Sequence, residues 1–443
     1  MTNKDTKSLL SQFISIQSVS ADSSRTSEMN IAVSFLSKTL ADLGFDVIYS
    51  QKGTSPTCII AKKTVPNAQL TIGIYGHYDV QPEDPVEEWQ SEPFELIERQ
   101  GKLFGRGVAD NKGHIVQNIS AIGELIQSGQ LKNNIVFILE GEEESGSENF
   151  EQYIQDNRNL LQNVDLYYIT DSGMYAKDIP QIEYALRGLI YFELTITTGD
   201  RDLHSGVYGN IAHNPANILC DLLSQMKDLT TGKIHIPGFY EGVRTLDAKE
   251  MGLLTKAITT DEDLRKEMNS YGIRTIEGLP SYLASKIQPS MDIHGLSGGF
   301  VGEGPKTVIP REARAKFSFR LVEHQNPEKI TASVQSFIKQ RIPPDVKYDL
   351  KIFSKDSPFY TSLDNPYIAQ AAEIMSAHFG KETVFNRSGG SIPAAEIIQR
   401  ILGKPVIITG FTLPDDNIHA PNENFDEEMF WKGIDCLKKL YSI

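Results

Sequence analysis

Apolar positions along this chain recur with two different periods. Compact apolar runs at Leu70–Tyr75, Ile135–Leu139, Val164–Thr170 and Pro405–Thr409 read as buried strands. Helical spacing marks Asn30–Leu43, which stops at Gly44, and His114–Ile126, which ends near Gly129. It returns at Pro366–Phe379, Ile392–Ile401 and Glu427–Tyr441. Short apolar strands separated by helices predict a mostly parallel sheet covered on both faces. Near residue 185 the texture changes. Leu189–Thr197 is rich in β-formers, and Ala315–Val322 alternates with period two, which gives it one buried face. Helices at Pro215–Lys227 and Pro327–Arg341 and a strand at Lys347–Phe353 accompany them, with a polar, weakly helical stretch over 239–289. The expected fold is α/β: a catalytic domain built from 1–185 and 358–443, with a two-layer α/β domain, 186–357, inserted into it.

Composition narrows the class. A chain of 443 residues with 40% hydrophobic and 23% charged residues is globular and large enough for two or three domains. The formal charge of −15 argues against a nucleic-acid footprint, which needs clustered Lys and Arg. No apolar run approaches the ~20 residues of a membrane span. The segment Met1–Ser8 is not followed by an apolar core of signal-peptide length. Cys58, Cys220 and Cys436 stand far apart and form no CxxC pair, so neither a thiolate metal site nor a disulfide framework is expected, and the cytoplasm is the default location.

Ile135–Leu139 runs straight into Glu140-Gly-Glu142-Glu143-Glu144. Like charges crowded at a strand end are costly unless a cation sits among them or one carboxylate keeps its proton. The plainer reading is a solvated acidic turn opening a helix. Other strand ends carry similar chemistry: His77 and Asp79 follow the first run, Asp171 the third, and Asp415-Asp416-Asn-Ile-His419 the fourth. Asp110 lies in a glycine-rich stretch, Gly105–Gly113, that opens the His114 helix. Ligands of doubly wound sheets bind at the carboxyl ends of the strands, so His77, Asp110, Glu144, Asp171 and His419 can converge. Imidazoles and carboxylates without sulfur suit one or two divalent ions such as Zn²⁺, Mn²⁺ or Co²⁺. With two ions, a shared carboxylate is needed, and Asp110 is the candidate bridge. Asp79, two residues from His77, could fix the imidazole tautomer. Gly299–Thr307 nearly spells a phosphate loop, but Pro305 displaces the Lys and removes a backbone donor, and no helix follows.

In order along the chain, Gly76-His77-Tyr78-Asp79-Val80-Gln81-Pro82, Gly105-Arg106-Gly107 with Asp110-Asn111-Lys112-Gly113, Glu143-Glu144-Ser145-Gly146-Ser147, Asp202-Leu203-His204-Ser205-Gly206 and Gly389-Gly390-Ser391-Ile392-Pro393 resemble the carnosine dipeptidases and cytosolic nonspecific dipeptidases. More distant relatives of that family are glutamate carboxypeptidase, acetylornithine deacetylase and succinyl-diaminopimelate desuccinylase. The resemblance implies two divalent ions per subunit, Zn²⁺ foremost. His77, Asp110 and Asp171 would hold one and Asp110, Glu144 and His419 the other. It implies a cis peptide at Asp110-Asn111, and Glu143 as the general base and acid acting on a water between the metals. It also implies His204 as the oxyanion donor, reaching across a homodimer formed by the inserted domain. Arg320, Gly390 and Ser391 would grip a substrate carboxylate, with Thr307 lining the pocket. The expected activity is hydrolysis of dipeptides or similar small carboxylate-bearing substrates. An N-acyl-amino-acid deacylase and an inactive ligand-binding homologue are the alternatives.

Overall fold

The computed structural model describes all residues except Met1, Glu277 and Ser391. It divides into two compact units. The first comprises Met1–Tyr184, Thr361–Asn386 and Ile392–Ile443, and the second Ala185–Tyr360 with Arg387–Ser391.

The first unit is built on a sheet whose middle strands run in the order Asn134–Glu140, Thr71–His77, Leu166–Thr170 and Val406–Thr409, all parallel. Cys58–Lys63 flanks one side and Gln181–Leu186 the other, both antiparallel. The middle strands are buried on both faces, which is why they read as continuous apolar runs. Their register aligns Tyr75 with Ile169 and His77 with Glu140, and Thr170 with Thr409. Residues just past these positions therefore emerge at one edge. The helix Lys112–Gln127 is buried along nearly its whole length, against helices Asn3–Ile14 and Glu427–Leu440. It begins so close to the preceding loop that a Cβ on Gly113 would sit 1.9 Å from the Val108 carbonyl oxygen, so only glycine fits.

The second unit has an antiparallel sheet in the order Ser290–Gly298, Glu312–Leu321, Gly188–Thr197 and Lys347–Asp356. Helices Pro215–Met226 and Pro327–Arg341 pack on it around a core that includes Phe192, Phe317, Phe319 and Leu222. Each helix opens with Asn-Pro. The Asn214 side chain accepts the Ala216 N–H, the Asn326 side chain accepts the Lys329 N–H, and the proline occupies the first turn, where no donor is needed. The strand Ser290–Gly298 has no counterpart in the sequence reading. The polar stretch before it holds the short helices Ala248–Leu254, Asp261–Glu267 and Ser281–Ile287. Among the described residues, no helix is long and apolar enough to cross a membrane.

Candidate metal centre

Asp110 stands at the middle of the first unit's polar edge. Its Oδ1 lies 2.9 Å from His77 Nε2, and its Oδ2 lies 2.9 Å from His419 Nε2. His77 Nε2 is also 3.5 Å from Asp171 Oδ1, and His419 Nε2 is 3.2 Å from Glu144 Oε1. One carboxylate thus faces two imidazoles, each with its own second carboxylate. Donors around a tetrahedral ion at Zn–N or Zn–O distances are about 3.3 Å apart, so these spacings suit a ligand shell. His77, Asp110 and Glu144 offer atoms that all lie within 4.8 Å of one another.

The charges fit a cation as well. Burial opposes protonation of His77, yet the carboxylates of Asp171 and Asp110 outweigh it and hold the imidazole well above its ordinary range. Hydrogen bonds to Asp110 and Glu144 push His419 up to about 10. Asp110, between two imidazoles, is held far below the usual carboxylate range despite its burial. Burial raises Asp171 and Glu144. Protons on two imidazoles supply the positive charge that the carboxylates need, and a divalent metal bound there would supply it in their place.

Each donor is fixed by its neighbours. His77 Nδ1 is 3.1 Å from the Asp79 carbonyl oxygen and 3.4 Å from Asp79 Oδ1, which leaves Nε2 for the centre. The Asp79 carboxylate has a second task. It accepts the N–H groups of Glu143 and Glu144, at 3.3 and 3.0 Å, and the Ser20 hydroxyl at 2.6 Å. The turn Glu143–Ser145 therefore hangs from the strand that carries His77. Gln81 Nε2 donates to Glu144 Oε2 at 2.7 Å. The Asp110-Asn111 peptide is cis, as the resemblance implies. The Asn111 amide donates to Thr170 O at 2.7 Å and to Asp171 Oδ1 at 2.8 Å. Gly410 closes the far side of the Asp171 strand: a Cβ there would lie 1.5 Å from the Ser172 carbonyl oxygen. His419 sits in a loop with φ of 63°, a conformation rare for a residue with a side chain.

Sequence reasoning missed Glu423. Its buried carboxylate accepts the N–H groups of Gly107, Ala109 and Asp110 at 3.0, 2.8 and 3.1 Å, and Arg106 Nη1 at 2.8 Å. Ser20 was missed in the same way, and Gln81 and Asn111, although they lie in the blocks that carry the resemblance, were given no partner there.

Glu143 differs from its neighbour. Its carboxyl group has no hydrogen-bond partner among the described residues, and burial together with Asp171, Asp110 and Glu144 pushes it well above the ordinary range. Glu140 accepts the Tyr75 hydroxyl at 2.8 Å and is pushed up to about 8 by burial. Glu142 accepts the backbone and side-chain N–H groups of Asn149. Both act as scaffold. His114 is buried and accepts the Phe411 N–H at 3.1 Å, and burial lowers it to about 4.

The remaining candidates belong to the second unit. His204 is exposed and caps the short turn Ser205–Tyr208, accepting the Gly206 N–H at 3.0 Å. It pairs in register with Val308, beside the exposed Thr307, whose carbonyl accepts the Ser205 N–H. Arg320 is half-buried on the strand face opposite Phe317, Phe319 and Leu321, and no carboxylate is bonded to it among the described residues. Gly390 is exposed, and Ser391 lies outside the described residues.

Known proteins resemble the chain over most of its length. The chain is 33% identical to the beta-Ala-His dipeptidase of Homo sapiens, over 85% of this chain and 75% of that one. It is 32% identical to a Cys-Gly metallodipeptidase of Saccharomyces cerevisiae, over 96% and 92%. A solved metallo-carboxypeptidase from Sulfolobus solfataricus superposes with a TM-score of 0.87 at 29% identity, covering 100% of this chain and 99% of that one. The profile that describes Peptidase family M20/M25/M40 matches residues 73–442. The chain belongs to that peptidase family, whose members work with divalent metal ions.

Proposed function

We propose that this enzyme hydrolyses the peptide bond of dipeptides and similar small substrates that end in a free carboxylate. The observation that carries this reading is the Asp110 carboxylate, turned with one oxygen toward His77 and the other toward His419, beside the unpartnered Glu143. The dipeptidases among its relatives support the substrate class.

In this reading His77, Asp110 and Asp171 hold one divalent ion and Asp110, Glu144 and His419 a second, with Zn²⁺ favoured by the imidazole–carboxylate set and Mn²⁺ or Co²⁺ also suited. Such ions, when bound, lower the pKa of water and polarise a carbonyl oxygen. Glu143 takes the proton from the attacking water on its carboxylate and returns it to the leaving nitrogen. Asp79 keeps Glu143 in place through the backbone and keeps Nδ1 of His77 as the donor. His204 supplies a hydrogen bond to the developing oxyanion, from a neighbouring subunit if the second unit forms a homodimer. Arg320 pairs with the substrate carboxylate through its two-pronged guanidinium, and Gly390, Ser391 and Thr307 are the further candidates for binding substrate. The three unpaired cysteines suit a reducing compartment, and the cytoplasm is the proposed location.

Glu143→Ala, assayed on a dipeptide, a tripeptide and an N-acetyl amino acid with metal content measured in parallel, tests the reading. The variant should keep its metal and lose at least about 10²-fold in turnover, the lower range for a general acid–base group. Retained activity, or wild-type preference for the N-acetyl amino acid over the dipeptide, would overturn it, the second outcome in favour of a deacylase.

A further inference from the structure

Residues 387–391 interrupt the first unit's closing segments, yet they cluster with the second unit. Arg387 explains why. It is 1% exposed, one of the largest fully buried side chains in the molecule. Its Nη1 and Nη2 grip Glu323 as a fork, at 2.7 and 2.5 Å, and Nη2 also reaches Glu250 at 2.7 Å. Arg244 completes the set, 2.6 Å from Glu250 Oε2 and 3.1 Å from Glu323 Oε1. The Tyr360 ring lies 4.8 Å from the Arg244 guanidinium and 6.0 Å from that of Arg387. Burial alone would raise the Glu323 carboxyl, but Arg387 and Arg244 outweigh it and hold it below its ordinary value.

The other end of the loop is tied as well. The Gly390 carbonyl accepts the Arg187 N–H at 3.2 Å. The Arg187 side chain in turn donates to the carbonyls of Ser285 and Gln288 and to Ser290 Oγ, at 3.1, 3.1 and 2.8 Å. Ser290 pairs in register with Arg320. So the loop's anchors and Arg320 share one framework. Buried ion pairs add little net stability over apolar groups of the same volume. What two arginines shared between two carboxylates supply is a single position, because each displacement leaves a buried charge unpaired.

We propose that Arg387, with Arg244, Glu250 and Glu323, forms a positioning network that fixes the Gly389–Gly390 backbone in the frame of Arg320, so that the donors for the substrate carboxylate are assembled before substrate arrives. The inference rests on the assignment of Arg320 and this loop to that carboxylate. Preassembly removes the ordering cost from binding, so its loss appears in affinity for the carboxylate.

The test compares the inhibition constants of a dipeptide and of its C-terminal amide, both competing with a reporter peptide. Wild type should prefer the acid. Arg320→Met should abolish that preference. Arg387→Met should reduce it by about ten-fold, while the constant for the amide and the metal content stay at wild-type levels. A lesion that weakens acid and amide equally would overturn the positioning role. If Arg320→Met keeps the preference, the carboxylate assignment itself falls. If Arg320→Met loses it and Arg387→Met keeps it, only the network's role falls. Should Arg387→Met fail to fold, the isosteric Glu250→Gln decides the matter on the same ratio.

Discussion

Glu423 shows how much of a metal centre lies outside its ligands. The backbone N–H groups of Gly107, Ala109 and Asp110, and the side chain of Arg106, converge on this one carboxylate. Glu423→Ala leaves the buried Arg106 charge without its carboxylate and those N–H groups without an acceptor, which costs about 3–5 kcal/mol. It also frees the Asp110 loop, and loss of such outer support typically weakens metal binding by about 10–100-fold. Urea unfolding and metal titration of the variant check both. Nothing near Glu423 in the sequence distinguishes it from any solvated glutamate, because its partners are more than three hundred residues away. His77, Asp171 and Glu144, by contrast, were legible because each follows an apolar strand whose end defines the site's edge.

The same division holds for whole elements. Strands buried on both faces, such as Asn134–Glu140, and helices with a capped start, such as Pro327–Arg341, announce themselves through local chemistry. The strand Ser290–Gly298 does not. The strand has a mixed, largely exposed pattern and a register shift between Ile293 and Gly295, so its polar and apolar positions do not alternate. It is a strand because Glu312–Leu321 offers it a paired edge. That neighbour is the better place to probe the second unit's stability. Phe319 is wholly buried, with ring centroids 5.2 Å from Phe239 and 6.0 Å from Phe192. Phe319→Ala should destabilise the second unit by about 3–5 kcal/mol, the usual range for a core Phe→Ala change. Hydrogen exchange in Gly188–Thr197 and Glu312–Leu321 should accelerate, while exchange in Thr71–His77 should not.

At the scale of the molecule, the candidate ligands all fall in one of the two compact units although they span residues 77 to 419. Each unit has its own apolar core. Bound metal stabilises only the fold that forms its site, by about 2.7 kcal/mol when free metal is a hundred times its Kd. Calorimetry should therefore resolve two transitions. Removing metal with a chelator should lower the first unit's transition and leave the second unit's in place, and adding metal back should restore it. The ligands' positions make this a sharp outcome: the chain leaves the first unit after Tyr184 and returns at Thr361, so His77, Asp110, Glu144 and Asp171 precede the excursion and His419 follows it. Metal held by these five residues would tie Met1–Tyr184 to Ile392–Ile443 with no ligand from the second unit. If both transitions fell together on chelation, the second unit would owe its stability to the metal centre, and the assignment of all five ligands to one independently folding unit would be wrong.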